Sequence, residues 1–264
     1  MDSIKQVGIT LPEIGFHSGA DAFMTTSSSQ FLGILLLDRA LPSDATPPTP
    51  PIGSMRNPAT FEFPTIAETV IGAYGDDVIR GKPELETAYI AAARRLVERG
   101  AIAISSNCGF TIRYQAAVAA SVKVPVVLSS LLLVPTLLRQ MAAAAKLAVL
   151  AFDSTHCGEE FLGLSDPAAR ARVVIGGIEG GKLWHNEMRR TPLATSLADI
   201  QQEVAGCVAQ LRAVHPEIGA ILFECTVFPL VAPVIRQITG LPVYDITTLC
   251  RMTFSSVADG RAVA

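Results

Sequence analysis

The chain has no basic excess, no paired cysteines and no long uninterrupted apolar run, and each absence removes a class of protein. With a formal net charge of −3 over 264 residues, nothing in its electrostatics calls for nucleic acid or an anionic membrane as partner. Its five cysteines, Cys108, Cys157, Cys207, Cys225 and Cys250, include no C-x-x-C and show no metal-ligand spacing. An odd count in a chain of this length argues against a secreted disulfide framework and for a reducing, cytoplasmic location. The four histidines form no H-E-x-x-H, so no metal site is expected. His156 and His185 could serve as general bases or simply face solvent. Gly176-Gly177 and Gly180-Gly181 do not form a dinucleotide fingerprint and read as loop turns. The longest apolar run, Val124 to Leu138, is interrupted by Ser129, Ser130 and Pro135 and is too short to span a bilayer. Met1 to Gln6 carries mixed charge, and Pro12 and Glu13 break the next apolar stretch, so no signal peptide is expected.

What remains is a hydrophobic chain, 50% apolar and 17% charged, long enough for a substantial core. Residues 1–30 are expected to form a tail or an added edge element. Phe31 to Leu37 reads as a buried strand ending at Asp38. Pro42 to Pro58 holds six prolines and cannot be a helix. A loop of this kind is either a lid or contact over a site, or a surface insert. Strand-like segments then alternate with helices: Thr69 to Tyr74, helix to Glu98, strand 101–106, helix 111–121, strand 124–128, helix 131–144. The alternation continues with strand 146–152, a helix near 156–163, strand 172–176 and a long helix from Leu197 capped by Ser196. Strand 219–223, helix 228–239, strand 241–246 and a last helix from about Thr248 complete it. This order implies α/β architecture, with parallel sheets covered by helices.

The chain also repeats itself. Cys225 lies 117 residues after Cys108, and Pro242 lies 117 after Pro125. Gly219-Ala220-Ile221 matches Gly100-Ala101-Ile102 at 119, and Val149 to Asp153 matches Ile34 to Asp38 at 115. Four ordered matches near one offset indicate a duplicated α/β unit. Such a unit can bring two strand ends together across a cleft, one thiol on each side of a small molecule, because ligands of parallel sheets bind beyond the carboxyl ends of the strands.

A cysteine after a buried strand and at a helix start has its thiolate favoured by backbone N–H groups. Asn107 adds an amide beside Cys108, Gly109 leaves the backbone open, and Thr226 adds a hydroxyl beside Cys225. Several donors of this kind suit a small carboxylate. Two thiols flanking the carbon next to a carboxyl could each remove or deliver a proton. Cys207 and Cys250, inside expected helices, read as core residues, and Cys157 is left open between core and site. Arg56, beside the proline-rich loop, could pair with a substrate carboxylate or stand solvated.

Ser106-Asn107-Cys108-Gly109-Phe110, with Glu224-Cys225-Thr226 and Phe228-Pro229, resembles the aspartate/glutamate/hydantoin racemase superfamily over roughly residues 31 to 250. The resemblance implies two pseudo-symmetric Rossmann-like lobes with the active site in the cleft between them. The lobes would be residues 31–128 plus a C-terminal helix 247–264, and residues 129–246. It also implies catalysis without a cofactor, with Cys108 and Cys225 as the acid/base pair. Asn107, Thr226, Ser154 and Thr155 would be carboxylate ligands. Where glutamate racemases place Asn-Thr after the first cysteine and Thr-His after the second, this chain has Gly109-Phe110 and Thr226-Val227. The difference argues for a more apolar pocket than an acidic amino acid needs. A racemase or epimerase is the first expectation, a homo-oligomer acting on a small carboxylate-bearing substrate. A lyase of the dimethylsulfoniopropionate type, or a decarboxylase or isomerase, comes second on the same scaffold. A non-catalytic small-acid binding protein is the rival from another class.

Overall fold

The computed structural model describes residues 30–41 and 49–258. The expectation for the N-terminal tail, and that for the first half of the proline-rich loop, fall on residues outside this range.

Four parallel strands make the first sheet. β1 (Phe31–Leu36) is flanked by β2 (Thr65–Thr69) and β3 (Ala101–Ser106), and β4 (Val126–Val127) adds to β3. The helices of this half are α1 (Gly75–Ile79), α2 (Leu85–Glu98), α3 (Gln115–Ser121) and α4 (Val134–Gln140). The second half repeats the plan, with β5 (Lys146–Ala151) between β6 (Val173–Gly177) and β7 (Ile218–Phe223), and β8 (Val243–Tyr244) beside β7. Its helices are α5 (Pro167–Arg170), α6 (Lys182–Glu187), α7 (Leu197–Val214), α8 (Ala232–Thr239) and α9 (Ile246–Val257). Even the irregularities repeat: the ladder slips at Phe31/Leu32 in one sheet and at Lys146/Leu147 in the other. The two-lobed parallel α/β architecture read from the duplication is therefore the observed one.

The central strands are buried on both faces, which is why β1, β3, β5 and β7 read as continuous apolar runs. Gly33 lets α2 lie close on β1, since a Cβ there would sit 3.0 Å from the Cβ of Ala101 and 3.1 Å from Leu96. The edge strand β2 escaped this reading. Residues 69–74 were expected to be a strand, but the strand is Thr65–Thr69 and the apolar residues after it form a turn. The turn buries Val70 and Ala73, while Gly72 takes φ +82° and donates its N–H to Asp38. An edge strand half in solvent alternates instead of running apolar, so its signal is weak.

The lobes exchange helices. α4, at the end of the first half, packs on β5, and α9, at the end of the second, packs on β3 and β4. Phe254 of α9 stacks on Phe63 with ring centroids 4.0 Å apart, and Arg251 donates to the Thr60 carbonyl at 2.7 Å and to Glu62 at 3.1 Å. Buried Asp77 of α1 pairs with Arg190, just beyond α6, at 3.0 Å. Among the described residues, no helix is long and apolar enough to cross a membrane.

Phe254→Ala should lower unfolding free energy by about 3 kcal/mol in denaturant titration, because it removes a buried ring from this exchange. Met252→Ala, at a 56% exposed position of the same helix, should stay within about 0.5 kcal/mol.

Candidate active site

Cys108 stands two residues beyond β3, and Cys225 two residues beyond β7. Each opens onto a short helical turn, Gly109–Tyr114 and Phe228–Val231 respectively. The backbone N–H groups of Phe110 and Thr111 are directed at the Cys108 sulfur, and that of Val227 at the Cys225 sulfur. Both cysteines line one small cavity of about 50 Å³. Leu37, Ile79, Phe110, Phe152 and Val227 give it apolar walls, and Arg39, Asn107, Glu187, Glu224 and Thr226 supply its polar groups.

The strand ends that carry the thiols are built alike. Asn107 donates its N–H to the Leu35 carbonyl at 3.0 Å and accepts from the Leu37 N–H at 2.8 Å through its side chain. Glu224, 117 residues on, donates to the Leu150 carbonyl at 2.8 Å and accepts from the Phe152 N–H at 3.0 Å. The amide in one half is thus replaced by a carboxylate in the other. Glutamate is one methylene longer, so while Oε2 makes the shared bond, Oε1 reaches over Gly109. A Cβ on Gly109 would lie 2.3 Å from that oxygen and 2.2 Å from the Glu224 carbonyl. Glycine is required there to admit the carboxylate. The Thr226 hydroxyl donates to the Asn107 carbonyl at 2.5 Å and ties the two strand ends together.

Five of the sequence-selected residues, Asn107, Cys108, Gly109, Cys225 and Thr226, come together on this cavity. Three do not line it. Ser154 donates to Glu179 at 2.5 Å, and Thr155 donates to Asp153 at 2.5 Å, so both hydroxyls serve local structure after β5. Arg56 lies nearby in the fields of Arg39 and Glu187, and burial together with Arg39 lowers its pKa. The described part of the proline-rich loop reaches the second lobe, with Gly53 beside Leu230. Cys157, Cys207 and Cys250 are buried and do not line the cavity, although Cys157 lies within the field of Glu224. Sequence reasoning missed Arg39, Glu187 and Glu224. The repeat offset that matched the cysteines also matches Glu224 to Asn107, and would have found it. Arg39 and Glu187 form an ion pair across the lobes at 2.9 Å, a contact with no local sequence signal. Among the described residues, no group of three or more His, Cys, Asp or Glu side chains is placed to hold a metal ion.

The electrostatics of the site are dominated by burial. Glu224 is 0% exposed and forms no ion pair among the described residues. Desolvation raises its pKa to about 7, with the field of Asp153 adding to the rise and the Phe152 N–H and Arg113 opposing it. Desolvation, then the Glu224 charge, pushes Cys108 up to about 12 and Cys225 well above its ordinary value. Both shifts favour the neutral thiol over the thiolate.

Two measurements follow. Far below its pKa a thiol gains thiolate tenfold per pH unit, so Cys108 and Cys225 should alkylate slowly at neutral pH and about tenfold faster per unit of pH; fast, pH-independent labelling would contradict this burial. Glu224 holds its proton more tightly folded than unfolded. Its contribution to stability is therefore present at low pH and is lost as pH rises from the ordinary carboxylate range through about 7. Glu224→Gln escapes that loss. Its stability relative to the parent chain should rise by about 3 kcal/mol from acid to mildly alkaline pH, measured by unfolding at each pH.

No protein-family model matches the chain. A dimethylsulfoniopropionate lyase from Durusdinium sp. clade D is 31% identical over 207 residues, covering 73% of this chain and 66% of that protein. Dimethylsulfoniopropionate lyase 5 from Emiliania huxleyi is 30% identical over 207 residues, covering 72% of this chain and 41% of that protein. The chain thus spans less than two thirds of the length of these curated relatives. Among solved structures, a glutamate racemase from Bacillus anthracis superposes with a TM-score of 0.54 at 12% identity, over 87% of this chain and 84% of that one. A liganded double mutant of arylmalonate decarboxylase gives 0.51 at 18% identity, over 87% and 93%. With two matching parallel sheets and a thiol from each on one cavity, the chain has the fold of the aspartate/glutamate racemase superfamily.

Proposed function

We propose that the chain is a lyase that removes the proton α to the carboxyl of a small substrate and expels a β leaving group, with dimethylsulfoniopropionate as the substrate to test first. The observation that carries this reading is the pair of strand-end thiols on one small apolar-walled cavity, in a chain whose sequence relatives are named dimethylsulfoniopropionate lyases. Cys108 is the base. Its sulfur faces two backbone N–H groups where Cys225 faces one, which favours its thiolate of the two. The thiolate takes the α-proton, the C–H electron pair becomes the carbon–carbon double bond, and the β carbon–sulfur bond breaks. The sulfur leaves with that bond's electrons as dimethyl sulfide, acrylate remains, and the proton on Cys108 passes to solvent. The apolar walls exclude water from the anionic transition state and leave room for the methyl groups of the leaving sulfide.

A second reading is racemisation or epimerisation. The duplicated placement of Cys108 and Cys225 favours it, because inversion needs an acid and a base on opposite faces of one carbon.

Incubation with dimethylsulfoniopropionate, with headspace detection of dimethyl sulfide, tests the lyase. Cys108→Ser should reduce turnover by a factor of about 10²–10⁴, and Cys225→Ser should leave a larger residue. Equal loss in both variants, with each exchanging the α-hydrogen of opposite enantiomers of an amino-acid substrate in deuterated water, would favour the racemase. No dimethyl sulfide from the parent chain would refute the lyase.

A further inference from the structure

The cavity is too small for the molecule proposed to enter it. A cavity needs about 10–15 Å³ to hold one water, so this one, of about 50 Å³, holds about three to five water-sized atoms. Dimethylsulfoniopropionate has eight non-hydrogen atoms, so a wall has to move. The strand ends are tied by the Thr226 bond to Asn107, and the lobes by their exchanged helices. The wall that contains Glu187 is held differently. Glu187 ends α6 and begins a strap, residues 187–192, whose two ends are pinned by Asn186. The Asn186 carbonyl accepts from the Leu193 N–H at 3.3 Å, and its side chain donates to the Thr195 hydroxyl at 2.8 Å. The first turn of α6 is anchored in its own lobe, where Glu203 accepts from the Lys182 N–H at 2.6 Å and the Trp184 indole donates to Asp153 at 3.0 Å. The strap reaches the first lobe through charge. Glu187 pairs with Arg39 at 2.9 Å, and Arg190 pairs with Asp77 at 3.0 Å and lies over the Tyr74 ring at 4.1 Å.

Each of these two carboxylates also faces a second cation. Buried Asp77 is held by Lys82 at 2.7 Å as well as by Arg190. Glu187 lies in the field of Arg56, which forms no ion pair of its own among the described residues. Release of the strap therefore leaves neither carboxylate without a cation, which matters most for the buried one. We propose that residues 187–192 are a lid, latched shut here by Arg39–Glu187 and Asp77–Arg190, and opened when Arg56 and Lys82 take over the two carboxylates. The need for it rests on the cavity being the substrate site. Partly exposed ion pairs contribute little each, and the Arg190 side chain is 54% exposed, so open and shut forms lie close in energy. Opening clears the side of the cavity at Gly75, where a Cβ would stand 3.5 Å from the Glu187 carbonyl.

Size-selective alkylation tests the lid without any substrate. N-methylmaleimide and N-benzylmaleimide share one chemistry, so at fixed pH the ratio of their rates at Cys108 and Cys225, read by peptide mass mapping, reports access and not thiolate fraction. Arg190→Ala should raise the large-to-small ratio about fivefold, the most an exposed ion pair supplies. Lys82→Ala leaves Asp77 to Arg190 alone and should lower the ratio. In the parent chain the ratio should rise several-fold between about 0.05 and 0.5 M salt, because screening weakens the latch. Cys207 and Cys250, buried away from the strap, should show none of these changes. A ratio indifferent to Arg190→Ala, a rise with Lys82→Ala, or an equal rise at Cys207 and Cys250 would each overturn the proposal. So would a flat salt response of the parent chain, which decides the matter even where a variant fails to fold. Labelling that follows the latch without release of dimethyl sulfide would keep the lid and remove the lyase. Release of dimethyl sulfide with labelling indifferent to the latch would do the reverse.

Discussion

The cavity depends on one contact between the lobes, where the strand end carrying Glu224 and Cys225 lies against the one carrying Asn107, Cys108 and Gly109. Thr226 donates to the Asn107 carbonyl, and the Glu224 carboxyl fills the space a side chain on Gly109 would need. Nearby, the Ser130 hydroxyl donates to the Phe223 carbonyl at 2.6 Å. These are short-range, directional contacts between backbone and small side chains, so they fix the strand ends far better than packing of flexible apolar groups would. The exchanged helices α4 and α9 hold the lobes in the arrangement these contacts need. Fold and chemistry are coupled here: a change that separates the lobes also pulls the two thiols apart and exposes the fully buried Glu224 carboxyl.

Much of this was legible in the sequence, for a physical reason. Central strands of a parallel sheet are buried on both faces, so β1, β3, β5 and β7 announced themselves as apolar runs, and the residues just past them were marked as site candidates. The duplication gave the pairing of Cys108 with Cys225 without any structure. Legibility failed where the deciding contact was non-local or the burial one-sided. The edge strand β2 was placed a few residues late because it is half exposed. Several expected helices begin as tight turns, as at Gly109–Tyr114 and Ser130–Leu133, where strand ends must turn sharply into the helix. Ser154 and Thr155 have the right chemistry for a carboxylate, but their hydroxyls are engaged by Glu179 and Asp153. Arg39 and Glu187 lie 148 residues apart, and no local pattern links them.

The departures from symmetry matter more than the symmetry. A duplicated unit starts with two equivalent halves and can acquire direction only by breaking the match. Here the break falls at Asn107 and Glu224, which share backbone partners and differ in charge. On the neutral side, Cys108 has two N–H groups toward its sulfur; on the anionic side, Cys225 has one. A symmetric pair of thiols suits a reaction that runs equally from either face. A pair made unequal, with a lone carboxylate on one side, suits a substrate whose two ends differ.

That inequality also bears on the raised thiol pKa values. A buried thiol near a buried carboxylate is a poor base, because both burial and charge oppose its ionisation. The same low-dielectric enclosure strengthens any compensating charge that enters. A neutral substrate would leave the thiols as they are, and an anionic one would make ionisation harder still. Burial is the larger part of that opposition, and positive charge brought to the carboxylate end offsets the part due to Glu224; on the proposed reading that charge is the sulfonium leaving group. On that reading, base activation and leaving-group recognition would be a single electrostatic event, with the thiols protonated until a cationic substrate arrives.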